Sequence, residues 1–325
     1  MERVFSGIQP TGELHIGNYL GAVRNWVEIQ DDFECIYCVV DYHAVTIPYE
    51  VAEMEPRTLD LTAGLVACGI DPQRSALFVQ SHVPQHTELA WVFNAVTPMG
   101  ELSRQTQFKA KSQQHEEHVN AGLFTYPVLQ AADIMLYKAS KVPVGEDQAQ
   151  HLELCREIAR KFNHRFGETF PEAHTLFTTT PRIRGLDGQA KMSKSLGNTI
   201  TVDEEPDELR RKLAGAFTDP SRKRRSDPGH PEICNVFTLH GFFSEAAEVD
   251  QIRRDCEGAT IGCVNCKRML AETMVNHFAP IREQWHALRA SPDVVRGHLE
   301  AGRDRCRAIA EQTMVEVRQK LGLCR

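Results

Sequence analysis

Long apolar runs are missing from this chain. The longest is the six residues from Cys35 to Val40, far short of the roughly 20 needed for a membrane-crossing helix, so no membrane partner is expected. A cleavable leader is not expected either, because Met1-Glu-Arg-Val-Phe5 has the pattern of a strand. Positive charge is in deficit: 37 Lys+Arg stand against 44 Asp+Glu, a net charge of -7. That excludes a surface coated throughout for nucleic acid and leaves room only for a local basic face. Internal repeats and low-complexity segments are absent as well, which excludes solenoids and long linkers.

Length and thiols are what the chain does have. At 325 residues, 42% of them hydrophobic, it exceeds the roughly 250–300 residues at which one core stops growing, so a large domain and a smaller one are expected. Ten cysteines with no leader point to the reducing cytoplasm. A disulfide framework is not expected there, and a cysteine cluster would first suggest metal ligation.

Short strand-like runs alternate with helical ones over the first 200 residues. Val4–Ile8, Cys35–Val40 and Ser75–Gln80 are rich in strand formers. Ile16, Leu20, Val23 and Val27 recur at helical spacing after Gly12, and 53–68 is similar. The expected fold is α/β, with a Rossmann-like parallel sheet over residues 1–200. Residues 201–325 carry few strand signals and are expected to form a helical domain. It would end in a long helix striped by Leu299, Cys306, Ala310, Met314, Val317 and Leu321.

Two segments suit a phosphate ligand, although each by itself equally fits an ordinary surface turn. In Gln9-Pro-Thr-Gly12 and His15-Ile-Gly-Asn18, a strand gives way to a helix. Small residues let a ligand approach the backbone there, and His15 and Asn18, three apart, share a face of the first turn from which both can donate to oxygen. Lys191-Met-Ser-Lys-Ser195 sets two lysines and two hydroxyls on a loop flanked by Gly188 and Gly197. Together the two segments resemble the HIGH and KMSKS signatures of class I aminoacyl-tRNA synthetases. Phe5–Pro10, Val40–Thr46, Thr125–Asp133 and Val142–Gln148 are similar to bacterial tryptophanyl-tRNA synthetases, and the likeness runs through essentially the whole chain.

The resemblance implies ATP, Mg²⁺, L-tryptophan and tRNA-Trp as substrates and partners, and a homodimer. It places ATP on Gln9, Pro10, Thr11, Gly17, Asn18, Gly145, Glu146, Asp147, Ile183, Lys191, Met192, Ser193, Lys194 and Ser195. Lys191, Lys194 and Lys111 would meet the charge growing on the leaving pyrophosphate, with His15 and Asn18 beside them. The amino acid would lie against Phe5, Gly7, His43, Tyr126, Gln130, Asp133, Val142 and Val144. Asp133 would accept the indole N–H, rejecting side chains that leave this buried acceptor unpaired. His43 is assigned to the pocket wall, and Gln130 departs from the methionine common at its place in the family. The rival readings are a tyrosyl enzyme, a non-catalytic RNA-binding relative and a distant nucleotidyltransferase.

Cys234, Cys256, Cys263 and Cys266 follow C-x21-C-x6-C-x2-C, a set that suits structural zinc or a [4Fe–4S] cluster. The spacing resembles an iron–sulfur motif of some bacterial tryptophanyl-tRNA synthetases, whose first gap is one residue longer, which favours the cluster. Cys35, Cys38, Cys68, Cys155 and Cys306 have the pattern of core residues. Arg210–Arg225 holds seven basic residues against Asp219, a local charge of +6, and suggests an RNA-phosphate contact.

Overall fold

The computed structural model describes residues 1–105, 119–145, 149–177, 183–188, 192 and 196–323. Lys111, Glu146, Asp147, Lys191, Ser193, Lys194 and Ser195 lie outside the described residues, as does the side chain of Val144.

Among the described residues, five parallel strands form one sheet: β1 (Arg3–Ile8), β2 (Glu34–Val39), β3 (Ala76–Val79), β4 (Lys141–Val144) and β5 (His174–Phe177). Their order is β3-β2-β1-β4-β5, with Phe5 opposite Ile36, Val4 opposite Lys141 and Val142 opposite Thr175. Helices cover both faces, so Cys35 to Val40 is buried throughout, as a parallel sheet requires. The chain leaves β1 toward β2 and β3 and later returns to β1's other edge as β4. This makes β1/β4 the switch point, where open α/β sheets hold ligands beyond the carboxyl ends of the strands.

The expected helix after Gly12 is irregular: α1 (Ile16–Asn18), a π turn at Tyr19–Val23, then α2 (Arg24–Ile29). In chain order follow α3 (Asp41–Ala44), α4 (Val51–Ala67), α5 (Gln85–Asn94), α6 (Met99–Ser103), α7 (Ala121–Leu136) and α8 (Ala149–Phe166). Beyond them come α9 (Pro206–Ala214), α10 (Asn235–Phe243), α11 (Ala246–Glu257), α12 (Cys263–Arg289) and α13 (Pro292–Leu321).

The division of the chain differs from the boundary expected at residue 200. One unit comprises 1–11, 22–179 and 288–325, the other 12–21 and 180–287. The physical reason at the carboxyl end is α13, whose expected stripe of Leu299, Cys306, Ala310, Met314 and Val317 is buried against the sheet unit. At Gly302 this helix meets β3 so closely that an added Cβ would fall 2.0 Å from the carbonyl oxygen of Leu77. The amino-terminal signature turn likewise belongs to the second unit. Its Ile16 N–H donates to the carbonyl of Ile200 (2.9 Å), and Val202 N–H donates to that of Leu14 (2.9 Å).

Candidate active site

In the sheet unit the residues converge on a buried carboxylate. Tyr126, Gln130 and Asp133 lie three and four apart on α7 and so face one way. Asn120 caps this helix, its side chain accepting from Leu123 N–H at 2.9 Å. Asp133 is 1% exposed. Its Oδ2 accepts from His43 Nε2 at 2.8 Å, while Oδ1 accepts from Gln80 Nε2 at 2.7 Å and from His86 Nδ1 at 2.6 Å. Burial alone would raise its pKa, but the hydrogen bonds from His43 and His86 more than offset this and bring it down to about 2. The group is therefore a fixed negative charge.

Around it, Tyr126 is buried, its pKa pushed up to about 12 by that burial, and its hydroxyl pairs with His151 Nε2 at 2.8 Å. Val142 is buried on β4. Phe5 is 3% exposed and stacked on Tyr137 at 5.6 Å, so one of its faces is already covered. Gly7 is exposed in the middle of this covered sheet, and a Cβ there would strike Val40 Cγ1 at 2.8 Å, so only glycine leaves the end of β1 open. Gln130 is half-buried. Gln80, His86 and Tyr137, and Gln105 behind His151, were not singled out from the sequence. The available signal was position: Gln80 follows β3 directly, at the carboxyl end of a strand where site residues gather.

The second unit contains the His15–Asn18 turn and, of the second segment, the described Met192. His15 caps α1, its Nδ1 accepting from Gly17 N–H (3.1 Å) and Asn18 N–H (3.3 Å), while Asn18 Oδ1 accepts from His15 N–H (3.3 Å). The expected pair of donors is thereby sharpened. Because Nδ1 accepts, Nε2 carries the imidazole N–H, and because Asn18 Oδ1 accepts, its amide nitrogen is the end that donates. Met192, within the second signature, is buried, and a Cβ on Gly17 would lie 3.6 Å from its Cβ. Met192 N–H donates to the Ile183 carbonyl at 3.3 Å, and the Asn198 amide donates to Asp187 at 2.9 Å. Two segments some 175 residues apart in the chain thus meet.

The four cysteines also gather in this unit. Burial together with Cys234, Cys256 and Cys263 pushes the Cys266 thiol up to about 12. Arg222 Nη1 lies 3.8 Å from Cys256 Sγ and 4.0 Å from Cys263 Sγ. Among the described residues no three His, Cys, Asp or Glu are already arranged as metal ligands. The basic stretch is narrower than its sequence suggested. Arg210 pairs with Glu272 (2.8 Å) and Asp207 (2.9 Å), Arg211 with Glu208 and Lys212 with Glu204, so the first three cations are matched by acids. Arg222, Lys223, Arg224 and Arg225 instead line a cavity of about 430 Å³ with Thr218, Gly262, Cys263, Val264 and Asn265.

A nucleotide signature built from two distant segments, together with a parallel sheet, defines a class I aminoacyl-tRNA synthetase. Residues 1–279 match the family described as tRNA synthetases class I (W and Y), and the chain belongs to it. Within that family it is similar to proteins named tryptophan–tRNA ligase: 51% identical to that of Deinococcus radiodurans and 44% to that of Thermotoga maritima, each over 99% of both chains. A tryptophanyl-tRNA synthetase from Campylobacter jejuni, solved with ADP and tryptophan, superposes with a TM-score of 0.89 at 35% identity, covering 99% of this chain and 100% of its own.

Proposed function

We infer that the protein is a tryptophan–tRNA ligase, joining L-tryptophan to tRNA-Trp at the expense of ATP. The observation that carries this is the meeting of the His15–Asn18 turn with the segment around Met192 in a chain whose sheet unit buries the Asp133 carboxylate. The tryptophan carboxylate attacks the α-phosphorus of ATP and pyrophosphate leaves; a hydroxyl of the terminal ribose of the tRNA then attacks the acyl carbon of the adenylate, and AMP leaves. ATP enters as its Mg²⁺ complex, so the ion arrives with the substrate. His15 Nε2 and the Asn18 amide donate toward phosphate oxygens. Gln9, Pro10, Thr11, Gly17, Gly145, Glu146, Asp147 and Ile183 line the nucleotide, and Lys111, Lys191 and Lys194 offset the charge of the leaving pyrophosphate. Asp133 keeps one lone-pair position on Oδ2 for the indole N–H; Tyr126, His43, Gln130, Gly7, Phe5, Val142 and Val144 surround the ring.

The test is pyrophosphate exchange dependent on tryptophan and not on tyrosine. Lys194→Ala is expected to slow adenylate formation by about 10²-fold or more, as losing a preorganised charge partner does, while tryptophan affinity changes little. Unchanged exchange in that variant would overturn the assignment of the loop.

Cys234, Cys256, Cys263 and Cys266 hold a [4Fe–4S] cluster in this reading. Neighbouring thiols oppose the ionisation of Cys234, Cys256 and Cys266, and these three with Cys263, two of the four beside Arg222, form a donor set that a cationic centre relieves. The group serves as a structural staple of the unit that carries the basic residues. Anaerobic purification is expected to yield iron and labile sulfide in equal amounts; stoichiometric zinc in a colourless protein points to the alternative. The enzyme works in the cytoplasm as a homodimer, a state supported by the exposed apolar side chains Val51, Trp91 and Met99, each at least 70% accessible.

A further inference from the structure

We propose that His86 is a specificity-determining positioning residue: through Asp133 it leaves one acceptor site for the substrate, and so sets the discrimination between an indole N–H and an isosteric ring that lacks it. This rests on the reading of Asp133 as the indole acceptor. A carboxylate offers about four lone-pair positions. Gln80 and His86 fill both on Oδ1, and His43 takes one on Oδ2. A single position remains, and its direction is set by whatever prevents the carboxylate from rotating. His86 does this most firmly. It is fully buried, with its ring packed against both Phe78 (5.7 Å, stacked) and Tyr137 (5.4 Å), on the first turn of α5.

The direction of its hydrogen bond is also determined. Its Nε2 meets the Tyr137 hydroxyl at 2.7 Å. Asp133 is ionised and can only accept, so Nδ1 carries the N–H that it receives at 2.6 Å. Gln80 is fixed in the same manner, since its Oε1 accepts from Tyr42 N–H at 3.1 Å and its amide nitrogen must face Asp133. Both act through the carboxylate.

The test is pyrophosphate exchange on the full-length enzyme with L-tryptophan and with β-(benzothiophen-3-yl)alanine, in which sulfur replaces the indole N–H. The ratio of the two kcat/KM values is the readout, with circular dichroism to establish folding. His86→Leu is expected to lower that ratio by about tenfold or more, mostly through a raised KM for tryptophan and with kcat less changed. His86→Asn, whose amide nitrogen stands where Nδ1 does, is expected to keep the ratio within about threefold of the parent. Tyr137→Phe, which removes the hydroxyl that Nε2 meets without emptying the core, is expected to fall between them and serves if His86→Leu does not fold. Parent-like ratios in folded His86→Leu, or in Tyr137→Phe where the leucine variant fails to fold, would overturn the role of His86. Asp133→Asn separates the two layers: if it too leaves the ratio unchanged, the indole acceptor has been assigned wrongly, whereas a collapsed ratio there beside an intact one in His86→Leu refutes the positioning role alone.

Discussion

Asp133 shows how a buried charge is made tolerable. An unpaired carboxylate at 1% exposure would protonate, because burial penalises the ionised form. Hydrogen bonds from His43 and His86 reverse that preference and hold its pKa at about 2. The sign of the pH dependence follows: a carboxylate depressed on folding adds stability that is full above about pH 4 and is lost as pH falls through about 2. Asp133→Asn, measured by urea unfolding across that interval, is expected to show a shallower slope of stability against pH, by up to about one proton. Near neutral pH the same variant is expected to bind tryptophan more weakly, since a neutral amide accepts a weaker hydrogen bond than a charged carboxylate.

Helix α13 explains why the carboxyl-terminal residues belong with the sheet. Its buried stripe crosses β3, and Gly302 allows backbone to approach backbone at the crossing. A methyl group there has no flexible neighbour to displace, because the atoms it would meet are the main chain of Leu77. Gly302→Ala is therefore expected to destabilise the fold by about 1–3 kcal/mol or more, read as a lowered urea midpoint at unchanged slope. Gly297, on the same helix but with open space around it, is the control; its alanine variant is expected to be neutral or slightly stabilising. Nearby, the ion pairs of Arg296 with Glu55 (3.0 Å) and Arg289 with Asp60 (2.6 Å) are largely solvent-exposed and add little.

For the molecule as a whole, net charge is a poor guide to the partner. A sum of -7 conceals four neighbouring cations, Arg222 to Arg225, around one cavity. Arg210, Arg211 and Lys212 are matched by acids and offer less to a phosphate backbone. Replacing Lys223, Arg224 and Arg225 together by alanine is expected to raise KM for tRNA and to reduce the slope of log affinity against log salt by about 2, leaving tryptophan-dependent pyrophosphate exchange intact. Arg222 is best left in place in that experiment because it touches two of the cysteines.

The strands and the carboxyl-terminal helix could be read from local pattern. Cys35–Val40 is apolar at every position because both faces of its strand are covered, and the stripe from Leu299 to Val317 keeps helical period whatever it packs on. The two signature segments were legible for a related reason: phosphate chemistry uses few residue types at short spacing, and the likeness to the synthetases rests on those residues. The partner of the final helix was not legible, because periodicity shows that a face is buried and not what buries it. The pairing of Arg210, Arg211 and Lys212 was hidden in part because Glu272 lies 62 residues from Arg210. The same holds for Gln80, His86 and Tyr137 around Asp133: a lone buried histidine or glutamine looks like any core polar residue until folding brings a carboxylate to it. Sequence alone thus carried the chemistry that is local in the chain, while the network that orients Asp133 depends on hydrogen bonds between residues 47 and 53 positions apart, which only the folded sheet unit creates.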